Sequence, residues 1–469
     1  MINLTLSDIA KQIDGTLHGD DIVIAGVSTD TRSISPKDIF LALVGPNFNG
    51  HAFVNEARQK GATALIVSEP VAAHIPYILV EDTKLALGLL GAYIRQCVNP
   101  KTVGITGSSG KTTVKEMTTA ILQQCGNVLA TAGNFNNDIG VPLTLLRLAH
   151  EHDYAVIEMG ANHMGEIAYT TGLVKPDVAT IVNAAASHLE GFGSLFGVAR
   201  AKSEIFKGLG PSGTALLNHD SQFYDFWRGK LDNEFIYSFS LDTEPGKGVD
   251  FTASQVGLAY NGCAHFIMHT PMGEMNIELT IPGMHNVSNA LLAAALAINV
   301  GASLENVRDG LATMQHVKGR LDVKQLSEQV RLLDDSYNAN VASVTAAIKL
   351  LASYHGRTVL VLGDMAELGD KARHYHEEVG QLAKDEGIDR LFTLGVLSQS
   401  ASDVYGEQGL HCSTIESLMD ALYAELHNEN DDITILVKGS RSARMERVVS
   451  ALEASPVGKL DRSRSRIAC

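Results

Sequence analysis

Thr106-Gly107-Ser108-Ser109-Gly110-Lys111-Thr112-Thr113 follows a strand-like run, Thr102 to Ile105, and leads into a stretch whose apolar residues recur at helical spacing. Strand, glycine-rich turn and helix in that order make a phosphate cradle. Glycines let backbone N–H groups close on phosphate oxygens, and the helix N-terminus adds partial positive charge. A lysine reaches the outer phosphates, and a threonine hydroxyl can ligate magnesium. The segment therefore reads as a nucleoside-triphosphate site formed by Gly107, Ser108, Ser109, Gly110, Lys111, Thr112 and Thr113. Its spacing is a compact variant: Ile105 occupies the place where the usual motif has its first glycine, and Gly107 is the loop glycine instead.

Working outward, Val114, Met117, Ile121 and Leu122 form the buried face of the following helix, with Gly126 as its stop. Strands Tyr154–Ile157 and Val178–Val182 come next, each followed by polar residues and a helical stretch. Such alternation predicts a mostly parallel sheet covered on both faces. On the N-terminal side, short apolar runs (Ile22–Ile24, Ile39–Leu43, Ala64–Val67, Tyr77–Val80) alternate with helical patterns, predicting a small α/β unit. From Thr214 to about Ile281 the texture of strands and turns predicts an antiparallel appendage, and beyond Lys318 strand–helix alternation starts again. The expected fold is α/β in three domains: 1–82, a small α/β unit; 83–317, a central parallel-sheet ATPase domain with that appendage; and 318–469, a Rossmann-like unit.

The chain has 469 residues, 45% hydrophobic and 19% charged, with a formal net charge of −16. That balance describes a globular protein and disfavours a nucleic-acid or anionic-membrane surface, so small-molecule partners are expected. Cys97, Cys125, Cys263, Cys412 and Cys469 lack metal spacing, and no basic leader or membrane-length apolar run occurs. Free thiols and a cytoplasmic location are the expectation. The end from Lys459 reads as a tail.

Ligands of parallel sheets sit beyond the carboxyl ends of the strands. Glu158 ends one strand and His188 follows another, so with a threonine hydroxyl they are candidate magnesium ligands beside the cradle. Gly133-Asn134-Phe135-Asn136-Asn137-Asp138 is dense in amides that can hold a polar substrate or simply build a turn. Lys202 reads, from the residues alone, as a solvated helix lysine. Asn286 and Asn289 lie ahead of an alanine-rich helix, Ala290–Ala297, where amides can read a nucleobase edge or cap the helix. In the last unit three polar loops follow three strands: Asp334–Asn340, with Asp335 and Asn338; Gly363–Gly369, with Asp364; and Lys438–Arg441.

Together with Glu158-Met-Gly-Ala-Asn162-His163, His188-Leu-Glu-Gly-Phe-Gly193, Pro282–Asn289 and Gly319-Arg320, these motifs resemble the Mur ligases of bacterial peptidoglycan synthesis. Within that family the resemblance is to the branch that joins D-alanyl-D-alanine to UDP-N-acetylmuramoyl tripeptide. A dinucleotide-like glycine fingerprint near Met1 and an Asp-Asn-Pro-Arg signature, marks of two sister ligases, are missing. A sister amide ligase or a folylpolyglutamate-type ligase is the alternative, and a nucleotide switch the more distant one. The resemblance implies ATP-driven amide formation through an acyl phosphate, a cytoplasmic step of cell-wall biogenesis on which cell shape and division depend. It implies a monomer with no nucleic-acid partner and no membrane insertion. By the same resemblance Lys111, Glu158 and His188 act on the γ-phosphate and magnesium, with Thr112 on the metal. Lys202 is the lysine that carbon dioxide carbamylates, Asn286 and Asn289 serve the adenine, Arg320 touches phosphate and Asp335 the ribose. Ser28, Thr29, Asp30 and Arg32 hold the uridine diphosphate, while Asn134, Asn137 and Asn338 face substrate.

Overall fold

A computed structural model describes residues 1–45, 47–72, 74–187, 189–232, 235–314, 318–427 and 432–455. His188 and the C-terminal tail lie outside the described residues. The central sheet has six parallel strands in the spatial order Val128–Ala130, Tyr154–Glu158, Lys101–Thr106, Val178–Ile181, Thr214–Asn218, Phe235–Phe239. The cradle strand, Lys101–Thr106, is thus interior: Val103 and Ile105 pack into one apolar cluster on one face, and Thr102 and Thr106 are buried on the other.

This arrangement corrects the Thr214 boundary. Thr214–Asn218 and Phe235–Phe239 extend the parallel sheet, and only Thr252–Leu258, Cys263–Thr270 and Gly273–Pro282 form the antiparallel appendage. The last two strands of the parallel sheet are joined by a single short helix, Tyr224–Arg228, which left little helical period to read. Edge strand Val128–Ala130, three residues long, was likewise too short for its periodicity to register.

The N-terminal sheet runs Thr16–His18, Tyr77–Leu79, Ala64–Val67, Asp38–Leu41, Gly26–Ser28, parallel except for its first strand. The last sheet runs Asp322–Gln325, Val330–Asp335, Ile433–Lys438, Arg357–Gly363, Arg390–Leu394, Gly409–Cys412, again parallel except for the first strand. Its polar loops therefore gather at the carboxyl ends of three adjacent interior strands.

One continuous apolar cluster runs from Leu4 and Leu6 through Leu87 and Leu90, on helix Thr83–Val98, to Ile157 and Trp227 in the central unit. The clusters of the last sheet draw only on residues from Leu321 onward. The first two units therefore share a core, whereas the third meets them through polar contacts around a joint at Gly319. Tyr354 Oη donates to the Asn261 carbonyl across it at 3.1 Å, while within the third unit Tyr337 N–H donates to the carbonyl of Gly319, whose φ of +75° is a conformation open to glycine. Among the described residues no helix is long and apolar enough to cross a membrane, and Cys97, Cys125, Cys263 and Cys412 are free thiols.

Candidate active site

The cradle closes as its sequence requires. Gly110 has φ +76°, and a Cβ there would come within 3.0 Å of Asn289 Oδ1; one at Gly107 would meet Val182 Cβ at 2.9 Å. Lys111 opens the cradle helix, Lys111–Leu122, and its Nζ donates to the Gly107 carbonyl at 2.7 Å. Burial lowers the Lys111 pKa, with Glu158 opposing and Arg320 reinforcing the shift. Asn183 Oδ1 accepts from Ser108 N at 3.2 Å and Ser109 N at 2.9 Å, so an amide of the neighbouring strand end holds the turn. Sequence reading passed Asn183 over, because it looked like the start of the loop leading to His188.

Glu158 is 2% exposed, and its two oxygens are separately engaged. Thr112 Oγ1 donates to Oε2 at 2.9 Å and Asn136 Nδ2 donates to Oε1 at 2.8 Å. Asn136 rather than its neighbours is the member of the amide-rich loop that reaches Glu158; within an Asn-Phe-Asn-Asn run nothing distinguished it. Asn134 and Asn137 both line the cavity beside Glu158, and Asn137 Oδ1 also accepts from Gly140 N at 2.8 Å, serving a helix start.

Lys202 corrects its reading as a solvated lysine. It ends helix Leu195–Lys202, is 2% exposed and opens onto the cavity beside Glu158. Its Nζ lies 6.0 Å from the centre of the Phe192 ring and has no hydrogen-bond partner among the described residues. Burial, with Lys111 adding repulsion, pushes its pKa well below the usual lysine value. Burial thus favours the neutral form of this amine over the ammonium.

Helix His285–Ile298 starts five residues earlier than Ala290, and Asn286 and Asn289 fall inside it. Asn286 Nδ2 donates to the Pro282 carbonyl at 2.7 Å, and Asn289 Nδ2 to Asn286 Oδ1 at 2.8 Å. These donors are spent on the wall of the cavity. Across the joint, Lys438 Nζ donates to Asp335 Oδ2 and to the Asn338 carbonyl, the latter at 3.0 Å. Burial lowers the pKa of His285 in the central unit, with Asp335 of the third unit opposing the shift and Lys438 of the third unit reinforcing it. Arg320 stacks 4.5 Å from the centre of the Tyr337 ring, with Arg441 at 5.8 Å from the same ring. Asp364 is absorbed by the fold: its carboxylate accepts from Val396, Leu397 and Ser398 N–H groups.

Two cavities result. One, of about 330 Å3, is lined by Ser108 to Thr113, His285, Asn286, Asn289, Arg320, Asp335, Asn338 and Lys438. The other, of about 760 Å3, adjoins it and is lined by Lys111, Thr112, Asn134, Asn136, Glu158, Lys202, Arg320, Tyr337, Asn338 and Arg441, among others. Ser28, Thr29, Asp30 and Arg32 line neither. Their turn is tied internally by an Arg32–Asp30 pair at 2.6 Å, and Arg32, its strongest partner, brings the Asp30 pKa down to about 2. The carboxylate and hydroxyl oxygens of Glu158 and Thr112, 2.9 Å apart, suit a hard cation such as Mg2+. The amine of Lys202 does not, although its carbamate would.

Asn340 spans the seam. Its Oδ1 accepts from Ser343 N at 2.9 Å, capping helix Val341–Ala352, and its Nδ2 donates to the Ser108 carbonyl at 3.3 Å. Asn340→Asp keeps the cap and loses the donor. It is expected to weaken nucleotide binding by about 5–10-fold at nearly unchanged Tm, checked by nucleotide titration and thermal melting; unchanged affinity would confine Asn340 to capping.

Models of three families match the chain: the Mur ligase family catalytic domain over residues 23–101, the Mur ligase middle domain over 105–297, and the Mur ligase glutamate ligase domain over 319–441. UDP-N-acetylmuramoyl-tripeptide–D-alanyl-D-alanine ligase of Escherichia coli K12 is 50% identical over 453 residues, covering 97% of this chain and 99% of the relative. The enzyme of the same description from Bacillus subtilis 168 is 35% identical, covering 97% and 100%. A crystal structure of MurF from Acinetobacter baumannii superposes with a TM-score of 0.92 at 37% identity, covering 97% of this chain and all of the other. MurF ligase from Thermotoga maritima in complex with ADP gives 0.80 at 26% identity, covering 93% and 98%.

Proposed function

The chain belongs to the Mur ligase family, and from that premise we propose that it joins D-alanyl-D-alanine to UDP-N-acetylmuramoyl tripeptide at the expense of ATP. The observation that carries this reading is the pair of adjoining cavities, one holding a phosphate cradle and the other a buried carboxylate and a buried lysine, both walled from two sides of the joint. We assign residues 1–82 to the nucleotide-sugar end of the substrate through Ser28, Thr29, Asp30 and Arg32. Residues 83–317 take ATP, and 318–469 complete the nucleotide site and receive the dipeptide.

In the first step a carboxylate oxygen of the tripeptide attacks the γ-phosphorus and the bond to the β-phosphate bridging oxygen breaks, giving acyl phosphate and ADP. In the second, the uncharged amine of D-alanyl-D-alanine attacks the acyl carbon. The tetrahedral intermediate loses a proton and expels inorganic phosphate. No protein nucleophile takes part, so the chain's contribution is alignment and charge neutralisation. Backbone N–H groups of the cradle and Lys111 hold the β- and γ-phosphates in line. Arg320, fixed by its stack on Tyr337, offers guanidinium N–H groups to the transferring phosphoryl group. Asn286 and Asn289 shape the adenine wall, and Asp335 is placed for the ribose. Glu158 and Thr112, with His188 and a carbamylated Lys202, would hold Mg2+, which when bound neutralises charge building on the phosphoryl oxygens.

Consumption of ATP and a nucleotide-sugar precursor places the reaction in the cytoplasm, and we expect a monomer. The test is phosphate release from ATP with UDP-muramoyl tripeptide, with and without D-alanyl-D-alanine, following the pentapeptide product by mass. Turnover that requires both substrates is expected. Hydrolysis indifferent to both would reject the substrate pair.

A further inference from the structure

Lys115 is a buried lysine that lines neither cavity and that the mechanism above leaves without a task. It lies one turn into the cradle helix, three residues after Thr112, and its side chain is 2% exposed. Nζ donates to the Thr131 carbonyl at 2.7 Å and meets Glu116 Oε1 at 2.6 Å. Removing an ammonium from water is costly, so a lysine here needs the partners it has, and a neutral residue of similar length would pack without that cost.

Thr131 explains what the lysine holds. It follows Val128–Ala130, the edge strand of the central sheet, at the point where the chain leaves the sheet for the amide-rich loop. Its N–H continues the ladder to the Val156 carbonyl, while its own carbonyl is taken by Lys115. Thr131 Oγ1 accepts from the backbone N–H of Glu158 at 3.0 Å, and five residues further on Asn136 grips the Glu158 carboxylate. A circuit closes from Thr112 on the cradle helix to Glu158, to Thr131, to Lys115 and back to the same helix, and every member is buried.

We propose that Lys115 is a positioning residue for Glu158. By fixing the carbonyl of Thr131 to the cradle helix, it sets the distance between the Glu158 carboxylate and the Thr112 hydroxyl, the two oxygen groups suited to a divalent cation. The proposal rests on the assignment of Glu158 and Thr112 to Mg2+ and deepens it. It does not depend on which carboxylate or amine the enzyme joins.

The test measures ADP binding to the full chain in saturating Mg2+ and in chelator, for Lys115→Met, Thr131→Val and the double variant. Lys115→Met is expected to lower ADP affinity about 10–100-fold in Mg2+, the range for losing a group that orients a metal ligand, and at most about twofold in chelator. Thr131→Val, which keeps the carbonyl that Lys115 holds but removes the acceptor for Glu158 N–H, should shift in the same direction. If the two act through one another, the double variant will be no worse than the poorer single. Equal losses with and without Mg2+, additive losses, or wild-type binding would each overturn the proposal. Should Lys115→Met fail to fold by circular dichroism, Thr131→Val alone decides: a loss confined to Mg2+ supports the circuit, and any other result overturns it. A chain that makes no pentapeptide yet passes this test would lose its substrate assignment and keep the circuit.

Discussion

Lys202→Ala is expected to lower kcat by about 10²–10³-fold, the scale for losing one preorganised electrostatic group at a reacting centre, with partial recovery on adding formate or acetate. The amine is buried, its pKa is driven well below the lysine norm by burial and by Lys111, and it faces Glu158's cavity. An uncharged amine is the form that adds carbon dioxide, forming an N–C bond and releasing one proton to leave a carbamate. A small carboxylate entering the space vacated by the side chain can replace that anion. The sign with pH follows: acid protonates the amine and releases carbon dioxide, so dependence of activity on bicarbonate should steepen as pH falls. Steady-state rates across a bicarbonate series at several pH values check this. A fully active Lys202→Ala, or one indifferent to carboxylates, would confine the lysine to packing.

Arg320→Ala should cost a similar factor, about 10²–10³ in kcat/KM for ATP, although the residue lies outside the cradle sheet. Arg320 lines both cavities, and its charge is felt at Lys111, whose pKa it helps to depress. Its guanidinium carbon lies 4.5 Å from the centre of the Tyr337 ring, which holds the group at the cavity wall. Arg320→Lys keeps the charge but loses the planar fork, so it should recover only part of the rate. Paired measurement of KM and kcat for ATP distinguishes these outcomes, and a KM and kcat both at wild-type level would remove Arg320 from the site.

The cradle was legible in the sequence because it is local: a strand, a turn and a helix contiguous along eight residues at two glycines whose geometry admits little else. The three-domain α/β architecture was legible for the same reason, since strand and helix periods alternate in order. What escaped was set by distance in the chain. Lys202 looks like any helix lysine until Phe192, Lys111 and the surrounding core close over it. Asn183 and Asn136 are turn-like residues whose amides acquire meaning only beside Ser108 and Glu158, reached from 75 and 22 positions away. Asp364 erred the other way: a charged residue after a strand looked like part of a site, and its carboxylate instead caps three backbone N–H groups of a neighbouring loop. The resemblance to a known family carried residue roles that neither composition nor period could supply.

The division of the apolar cores has a thermodynamic consequence of its own. With Leu4 through Trp227 in one cluster and the residues from Leu321 onward in others, the apolar cores divide at a polar seam, and residues lining one cavity lie on both sides of it. For a nucleotide site completed across such a seam, as proposed above, the apparent affinity is the intrinsic affinity of the assembled site multiplied by the fraction of molecules in which it is assembled. Two orthologues with identical contacts to the nucleotide can differ in apparent Kd through the joint alone. A substitution near Gly319 that never touches ligand can tighten or weaken binding simply by changing how often the two halves meet.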